Sequence, residues 1–328
     1  MAEKMKVVRY SKYGGGAEAL EYAEVPIPTP KKGEILVKIE AVSVNPVDYK
    51  IQNGFMKPIL PSKFPYIPGT DISGEVLSIG SGVNGFQPGD KVVSWLDISA
   101  GGGFAQVATA TLKTTVKRPQ EVSAVDGACL PVAGITALQS LRDSAGVALD
   151  GCYKGNILIT AASGGVGTFA VQIAKLGGAH VTATCGARNI DLLKSLGADE
   201  VLDYKTSEGA QLISPSGRKY DAVINCASGI PWSHFQKVLA PRGKVIELSP
   251  SFKGLLTSAV KKVTFSKQKP VPFFMSANSK DLQILVDLVK EGKLKPVIDS
   301  EFPLERAKDA WHKSVEGHAT GKIVIICA

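Results

Sequence analysis

The sequence contains few residues that could bind a metal. Among its 328 residues are only four histidines and five cysteines, and no two cysteines form a C-x-x-C pair. The histidines also lack metal-ligand spacing relative to the cysteines, so we expect no metal site. Five scattered cysteines are an odd number, which is typical of reduced thiols in a reducing compartment and argues against a disulfide framework.

Long apolar runs are missing as well. No stretch approaches the ~18 apolar residues of a transmembrane helix. The opening MAEKMKVVRY forms neither a secretory signal nor an Arg- and Ser-rich transit peptide. The net charge is only +8, and acidic residues are interleaved with the basic ones. This pattern favours a mildly basic enzyme over a nucleic-acid-binding protein, either in the cytosol or addressed elsewhere by a less readable signal.

Turn-forming residues, by contrast, are abundant, with 34 glycines and 19 prolines. Over residues 1–120 they separate short alternating strands, which predicts a barrel-like β domain. From Asn156 onward strands alternate with helices, which is typical of a parallel sheet covered on both faces. The final apolar strand, Lys322–Ile326, resembles the first part of the chain in its β character, and we expect it to return there.

The segment after the strand Asn156–Thr160 carries the most informative motif. Ala162, Gly164 and Gly167 occupy the three glycine positions of G-x-G-x-x-G, between an apolar strand and a helix. That context predicts a dinucleotide-binding turn, with the phosphates at the helix amino terminus; a tight turn without a ligand is the alternative. The residues predicted to contact the dinucleotide in this turn are Ser163, Gly164, Gly165, Val166 and Gly167.

The next strand indicates which dinucleotide binds. An NAD site usually has an acidic residue at the end of this strand, about 20 residues beyond the glycines. Here the chain runs from Cys185 to Arg188 without a carboxylate. A guanidinium suits a 2′-phosphate, so Arg188 favours NADPH, and Tyr204 at the end of the third strand could reach the same phosphate. The alternative is that Arg188 is a solvated residue at the start of a helix.

Several motifs in a fixed order resemble one enzyme family over the full length of the chain. They are A-V-S-V-N-P-V-D-Y-K (Ala41–Lys50), P-G-T-D-I-S-G-E-V (Pro68–Val76), G-D-K-V (Gly89–Val92), the A-S-G-G-V-G turn, K-S-L-G-A-D (Lys194–Asp199) and the closing G-K-I-V-I. With them the chain resembles the medium-chain dehydrogenase/reductase superfamily, and its zinc-free quinone oxidoreductase branch in particular. Within that branch it is similar to plant chloroplast-envelope members and to plant alkenal and oxoene reductases.

The resemblance implies an α/β architecture with two domains. A GroES-like, β-rich catalytic domain would comprise residues 1–122 and 272–328, and a Rossmann domain with a doubly wound parallel sheet would comprise residues 123–271. Further cofactor contacts implied by the resemblance are Lys50, Thr136, Cys185, Asn225, Leu248, Ser249, Phe274, Met275 and Ala277.

The departures from the family pattern are also informative. Zinc alcohol dehydrogenases of this superfamily have Cys where Asn45 stands, and a His-Glu pair where Thr70 and Asp71 stand. Without thiolate or imidazole ligands no metal would polarise an alcohol, so we do not expect alcohol oxidation. Many bacterial and animal quinone oxidoreductases have Tyr in place of Lys50, whereas the oxoene reductases have Lys, which favours activated alkenes over quinones.

These features predict an NADPH-dependent oxidoreductase that works without zinc and transfers hydride to the activated C=C of an α,β-unsaturated carbonyl, such as an enone or oxylipin. The candidate catalytic residues are Lys50 and Asn45, which could hold the carbonyl oxygen, and Asp48, which could orient Lys50. Each has a simpler alternative: a solvated lysine, a turn residue before proline, and a carboxylate that accepts from backbone N–H groups. Two other functions stay open: quinone reduction on the same fold, and dinucleotide or RNA binding with negligible turnover.

A basic stretch, Ser251–Lys269, interleaves five lysines with apolar residues and contains no acid. Such a segment can lie on an anionic membrane surface, and a solvated helix at the edge of the Rossmann domain is the alternative. The resemblance to the envelope members implies a chloroplast protein, peripheral on the inner envelope and imported without a cleavable peptide. It also implies a small-molecule carbonyl or quinone substrate and allows a homodimer.

Overall fold

Two units are distinguished in the computed structural model, which describes residues 3–249 and 267–327. Unit 1 comprises Met1–Ile135 and Ala277–Ala328, and unit 2 comprises Thr136–Ser276. Most of the basic stretch, residues 251–266, lies outside the described residues, so the membrane-facing segment expected there stays a prediction. No helix within 3–249 or 267–327 is both long and apolar enough to cross a membrane.

Unit 1 is built on β-sheets. Its seven-stranded sheet has the order β14-β15-β3-β4-β5-β7, with β6 paired to β3, and β1 and β2 form a separate antiparallel pair. The long strand β3 is buried along most of its length and lies at the centre of this sheet, paired with β15, β4 and β6. The strands are β1 Lys4–Arg9, β2 Glu21–Pro26, β3 Glu34–Val44, β4 Asp71–Ile79, β5 Lys91–Trp95, β6 Val107–Thr111, β7 Thr115–Lys117, β14 Ile298–Pro303 and β15 Lys322–Ile326.

Four helices accompany this sheet. Helix α1 (Pro46–Gln52) begins directly after β3, because Asn45 is an extended N-cap residue and proline occupies the first helical position. Helix α2 (Ala124–Ala128) packs against β3 and β4. Helix α8 (Ser279–Lys290) is capped by the Asn278 side chain. Helix α9 (Ala307–Glu316) buries Trp311, whose ring meets Phe104 edge to face.

Unit 2 is a parallel six-stranded sheet in the order β10-β9-β8-β11-β12-β13, which is the doubly wound dinucleotide-binding order. Its core includes α4, which is buried from Gly167 to Ala174. The strands are β8 Asn156–Thr160, β9 His180–Cys185, β10 Glu200–Asp203, β11 Tyr220–Asn225, β12 Leu239–Glu247 and β13 Lys269–Pro272. The helices are α3 Ile135–Gln139, α4 Gly165–Leu176, α5 Ile190–Ser195, α6 Ser207–Ala210 and α7 Trp232–Val238. The predicted fold class, a GroES-like β-rich domain with a Rossmann domain, is confirmed.

The first boundary between the units falls inside a helical segment, after Ile135, whereas the sequence pattern changes near residue 122. The segment contains wide turns of π type at Leu130–Gly134, which includes Pro131, and at Ser140–Ala145. Its start, α2, packs on strands of unit 1, and its end packs on β11 and β12 of unit 2. One helical segment therefore contributes to both units, which the sequence pattern does not reveal. The second boundary follows Ser276.

Candidate active site

The glycine turn joins β8 to α4 in unit 2. A Cβ added to Gly167 would lie 2.5 Å from the Cα of Ala162, so only glycine lets the helix approach the strand this closely. A Cβ on Gly164 would meet only the carbonyl oxygen of Ala161, at 3.4 Å, so the space above the turn is open. Ser163, Gly165 and Val166 are half-buried around it. An open cradle at the amino terminus of a twelve-residue helix fits a pyrophosphate.

Arg188, Tyr204 and Cys185 lie at the carboxyl ends of β9 and β10. Cys185 is buried, and its carbonyl accepts from the backbone N–H of Tyr204 at 3.1 Å. The Tyr204 ring lies over Gly186, where an added Cβ would be 3.6 Å from the ring. Arg188 is exposed, as is half of the Tyr204 side chain. The sheet therefore brings these predicted residues to one edge, at the place where a 2′-phosphate would be recognised.

Sequence reasoning missed Lys205, a second cation at this edge. Its Nζ lies 6.0 Å from the centre of the Tyr204 ring. The neighbouring carboxylate, Asp203, accepts from the backbone N–H of Lys205 at 3.0 Å and so closes the turn. The sequence signal that could have identified Lys205 is a basic residue directly after an aromatic residue at the end of a strand.

Asn225 belongs to a row of hydrogen bonds along the same edge of the sheet. Its Oδ1 accepts from Thr160 Oγ1 at 2.6 Å, and its Nδ2 donates to Glu247 Oε2 at 2.7 Å. Burial raises the pKa of the Glu247 carboxyl. Leu248 follows, and its N–H donates to the carbonyl of Asn225 at 3.3 Å; Ser249 is exposed. Thr160 and Glu247 were not predicted, because their roles depend on pairing between strands.

The segment with Phe274 and Met275 follows β13. The Gln139 side chain, at the end of α3, bonds both backbone groups of Ser276, with its Nε2 donating at 2.8 Å and its Oε1 accepting at 3.0 Å. Phe274 is 71% exposed. Thr136 on the same helix is buried. Ala277 is the first residue of the returning part of unit 1.

Asn45 and Asp48 form the corner between β3 and α1. Both side chains are buried. The backbone N–H of Asn45 donates to Asp48 Oδ2 at 2.8 Å, which fixes the start of the helix. The Asn45 amide donates to Asp71 Oδ2 at 2.9 Å and to the Ser43 carbonyl at 3.4 Å. Lys50 lies further along α1 and is half-buried.

Lys322, which sequence reasoning did not select, completes this corner. It begins β15, is only 3% exposed, and its ammonium donates to Asn45 Oδ1 and to the carbonyl of Val44. We call the following set the lysine–carboxylate cluster: Ser43, Asn45, Asp48, Thr70, Asp71 and Lys322. In the sequence, Lys322 is a single lysine at the start of an apolar strand, and this pattern does not indicate a functional role.

The two carboxylates of the lysine–carboxylate cluster differ in their partners. Asp71 accepts from the amide of Asn45, from Thr70 Oγ1 at 3.1 Å and from the backbone N–H of Val132 at 3.0 Å. Burial raises the pKa of Asp48 to about 7, and the nearby charge of Asp71 adds to the rise. Burial also raises the pKa of Asp71, which the charge of Lys322 opposes.

Within the described ranges no group of three or more His, Cys, Asp and Glu side chains is arranged to hold a metal ion. Zinc alcohol dehydrogenases have ligands at the positions of Asn45, Thr70 and Asp71. Here these positions supply an amide, a hydroxyl and a carboxylate, which bond one another, and the amide also bonds a buried ammonium.

Comparison with known proteins places this arrangement in a family. Residues 31–120 match the alcohol dehydrogenase GroES-like domain family, and residues 196–325 match the zinc-binding dehydrogenase family. The chain is 60% identical over 322 residues to a chloroplast envelope quinone oxidoreductase homolog of Arabidopsis thaliana, covering 98% of both chains. It is 32% identical to a 2-methylene-furan-3-one reductase of Solanum lycopersicum, covering 98% of this chain and 79% of that one.

A solved structure agrees with the sequence matches. The quinone oxidoreductase from Coxiella burnetii superposes with a TM-score of 0.88 at 31% identity, over 99% of both chains. The predicted resemblance is thereby confirmed, and the fold implies a nicotinamide dinucleotide cofactor. The chain belongs to the medium-chain dehydrogenase/reductase superfamily, as a reductase of the quinone oxidoreductase type.

Proposed function

We propose that this protein is an NADPH-dependent reductase of α,β-unsaturated carbonyls. The observation that carries the proposal is Lys50, a half-buried cation on a helix whose first turn is fixed by Asn45 and Asp48. An ammonium held in this way suits a carbonyl oxygen that gains negative charge during reduction. The tomato relative is named for an enone substrate, which is consistent with this choice.

NADPH is proposed over NADH because of charge at the edge of unit 2. Arg188 and Lys205 supply two cations beside the Tyr204 ring, and residues 186–189 contain no carboxylate. A ribose 2′-hydroxyl would call for an acidic partner, whereas a 2′-phosphate calls for cations. The glycine cradle would hold the pyrophosphate, and NADPH, when bound, supplies the hydride.

The structure suggests different roles for the three candidate catalytic residues. Lys50 is proposed to bind the substrate oxygen and stabilise the enolate. The Asn45 amide hydrogens already bond Asp71 and Ser43, and Asp48 already accepts from the backbone of Asn45. We therefore propose Asn45 and Asp48 as positioning residues that hold the start of α1, with water as the source of the proton for the α-carbon.

We further propose that the reaction proceeds without a metal. Amide and hydroxyl groups are poor zinc ligands compared with thiolate and imidazole. A buried ammonium, that of Lys322, is already bonded to Asn45, so a second cation at this point would be repelled. The donor set of the lysine–carboxylate cluster thus suits an internal cation in place of a metal ion.

The same fold also supports quinone reduction, and the names of the Arabidopsis and Coxiella relatives favour it as the second candidate. The decisive experiment is NADPH oxidation against a panel of enones, alkenals and quinones, with wild-type protein and Lys50→Met. We expect turnover of the unsaturated carbonyls and, for Lys50→Met, a kcat/KM about 100-fold lower, as for other lost oxyanion partners. Turnover of quinones alone would replace the first proposal with the second. No turnover of any compound would favour the binding-protein alternative.

We propose a chloroplast location, peripheral on an anionic membrane, on the strength of the Arabidopsis relative and of one surface in unit 1. The loop after α1 exposes Phe55, Met56 and Ile59, at 54%, 48% and 68%. Lys57 lies between Met56 and Ile59, Lys63 follows them, and residues 49–70 contain no carboxylate. Apolar side chains beside cations suit a membrane interface. Co-sedimentation with anionic and with neutral vesicles tests this location. Binding to neither kind of vesicle, or equal binding to both, would contradict it.

A further inference from the structure

Unit 2 contains a cavity remote from its glycine turn. The cavity has a volume of about 250 Å³ and is lined by the segment before β11 and by α7. Arg218 and Lys219 come directly before β11, so the cavity lies at the amino ends of the strands, opposite the edge with the dinucleotide residues. We call it the basic cavity, because its basic lining residues are Arg218, Lys219, His234 and Lys237.

No carboxylate lines the basic cavity to balance its cations. Among the described residues Arg218, Lys219 and Lys237 form no ion pair; Arg218 donates to Asn156 Oδ1 at 3.4 Å, and Lys219 donates to the backbone carbonyl of Lys237 at 2.6 Å. Elsewhere in unit 2 a lysine such as Lys175 is paired with a carboxylate. Three like charges held around one cavity repel one another, and an anion would relieve that repulsion.

The carboxylate of Glu200 lies one hydrogen bond behind the lining of the cavity. Ser214 lines the cavity, and its hydroxyl donates to Glu200 at 2.6 Å. The other oxygen of Glu200 accepts from the backbone N–H of Ser216 at 3.1 Å. By contrast, Nδ1 of His234 is buried and has no hydrogen-bond partner in the part of the chain that the structure describes. The ring of His234 lines the cavity, so it can report on a ligand bound there.

We propose that the basic cavity binds a phosphate monoester dianion. Arginine and lysine are the side chains that recognise phosphate oxygens, and a histidine nitrogen can add a further bond. A cavity of about 250 Å³ holds more than a single water or a bare ion, so it has room for a small organic group on the phosphate. The site differs from the 2′-phosphate position of the cofactor and is independent of the reductase activity.

The first experiment follows the histidine side chains by NMR. The chain has four histidines, so their ring signals are few, and His234→Gln assigns the one in the cavity. Inorganic phosphate is titrated into wild-type protein saturated with NADPH, at constant ionic strength set with chloride. We expect a saturable shift of the His234 signal while His180, His312 and His318 stay unchanged. A His234 signal that does not move, or moves equally in chloride, would overturn the proposal.

The second experiment measures phosphate binding by calorimetry. Arg218→Gln, Lys219→Gln and Lys237→Gln should each weaken binding about tenfold, as expected for a lost charge-assisted hydrogen bond. Lys194→Gln, an exposed lysine on α5 of the same unit, removes the same charge and should have no effect. NADPH oxidation should be unchanged in all four variants. If Lys194→Gln weakened phosphate binding equally, the effect would be one of overall charge, and the proposal of a specific site in the basic cavity would be contradicted.

The phosphate could belong to a soluble metabolite or to a lipid headgroup, and two ligands distinguish these sources. Glycerol 3-phosphate represents the soluble ester, and neutral vesicles containing phosphatidic acid represent the lipid. A soluble ligand is supported if glycerol 3-phosphate competes with inorganic phosphate for the cavity and the protein does not bind the vesicles. A lipid headgroup is supported if the protein binds the vesicles, if inorganic phosphate reverses this binding, and if Lys219→Gln abolishes it. If neither ligand competes with inorganic phosphate, the ester proposal is wrong.

Discussion

The side chains of Lys322 and Asn45 are joined by a hydrogen bond in the interior of unit 1, although 277 residues separate them in the sequence. The ammonium is the cation of a cluster that holds two buried carboxylates, Asp48 and Asp71. Because Asn45 also begins α1, this bond connects the last strand of the chain to the helix that carries Lys50.

Removing the cation should therefore destabilise the protein strongly. Lys322→Met removes the buried positive charge near Asp48 and Asp71 and leaves Asn45 Oδ1 without its donor, and losing a buried charge partner costs about 3–5 kcal/mol. Urea unfolding measures the change in the free energy of unfolding. Lys308→Met serves as the control, because Lys308 forms an exposed pair with Glu18 and should matter little. Similar losses in the two variants would mean that burial of the cluster contributes nothing special.

The stability of the protein should depend on pH through Asp48. Its pKa is about 7 in the folded protein and near its ordinary 3.8 in the unfolded chain, so the folded state keeps a proton that the unfolded state releases between these values. Stability should fall as the pH rises through this window, by up to about 1.4 kcal/mol per pH unit, and level off above it. Asp48→Asn should remove this part of the slope. If the free energy of unfolding changed with pH in the same way in wild type and variant, the titrating group would be a residue other than Asp48.

Two glycines of the turn, Gly164 and Gly167, should respond differently to alanine. In Gly167→Ala the new Cβ would lie 2.5 Å from the Cα of Ala162, so helix and strand must separate, at a cost of about 1–3 kcal/mol. In Gly164→Ala the nearest atom is 3.4 Å away, so the fold should survive, but the methyl group would occupy the open cradle. We expect thermal unfolding to detect the first change, and dinucleotide titration to detect the second. A Gly164→Ala protein with normal NADPH affinity would place the pyrophosphate elsewhere.

Cofactor preference should depend on the cations beside Tyr204. Arg188→Ala should weaken NADPH binding about 10- to 100-fold, the range of a lost charge-assisted bond, and leave NADH binding nearly unchanged. Lys205→Ala should have a smaller effect of the same kind, since its Nζ lies on the ring of Tyr204. Fluorescence titration with both dinucleotides measures this. Equal losses for NADPH and NADH would remove Arg188 from the 2′-phosphate site.

The features that were predictable from the sequence are local ones. The strand Asn156–Thr160 has the predicted bounds and a helix, Gly165–Leu176, follows the glycines as predicted, because the apolar run, the glycines and the helix lie next to one another in the chain. Strand β13 was not predicted, since prolines occupy two of its four positions and indicate an edge strand or none.

The lysine–carboxylate cluster could not be found in this way. Lys322 precedes an apolar strand and has no polar neighbour in sequence that would mark it as buried. Its position depends on β15 pairing with β3, in a register that opposes Ile323 to Val44. Asn45 was selected as a donor to substrate for the same reason, since the bonds that engage its amide come from strands distant in sequence. Residues whose partners are non-local need the sheet register before their chemistry can be assigned.

The pairing of β15 with β3 also determines the order in which the protein can be assembled. All of unit 2, Thr136–Ser276, is one continuous segment, so it can fold as soon as that segment leaves the ribosome. Unit 1 cannot close its sheet at that stage, because β3 still lacks its neighbour. The nucleotide-binding unit is thus free to mature first, and the helix that carries Lys50 becomes fixed only when Lys322 reaches Asn45.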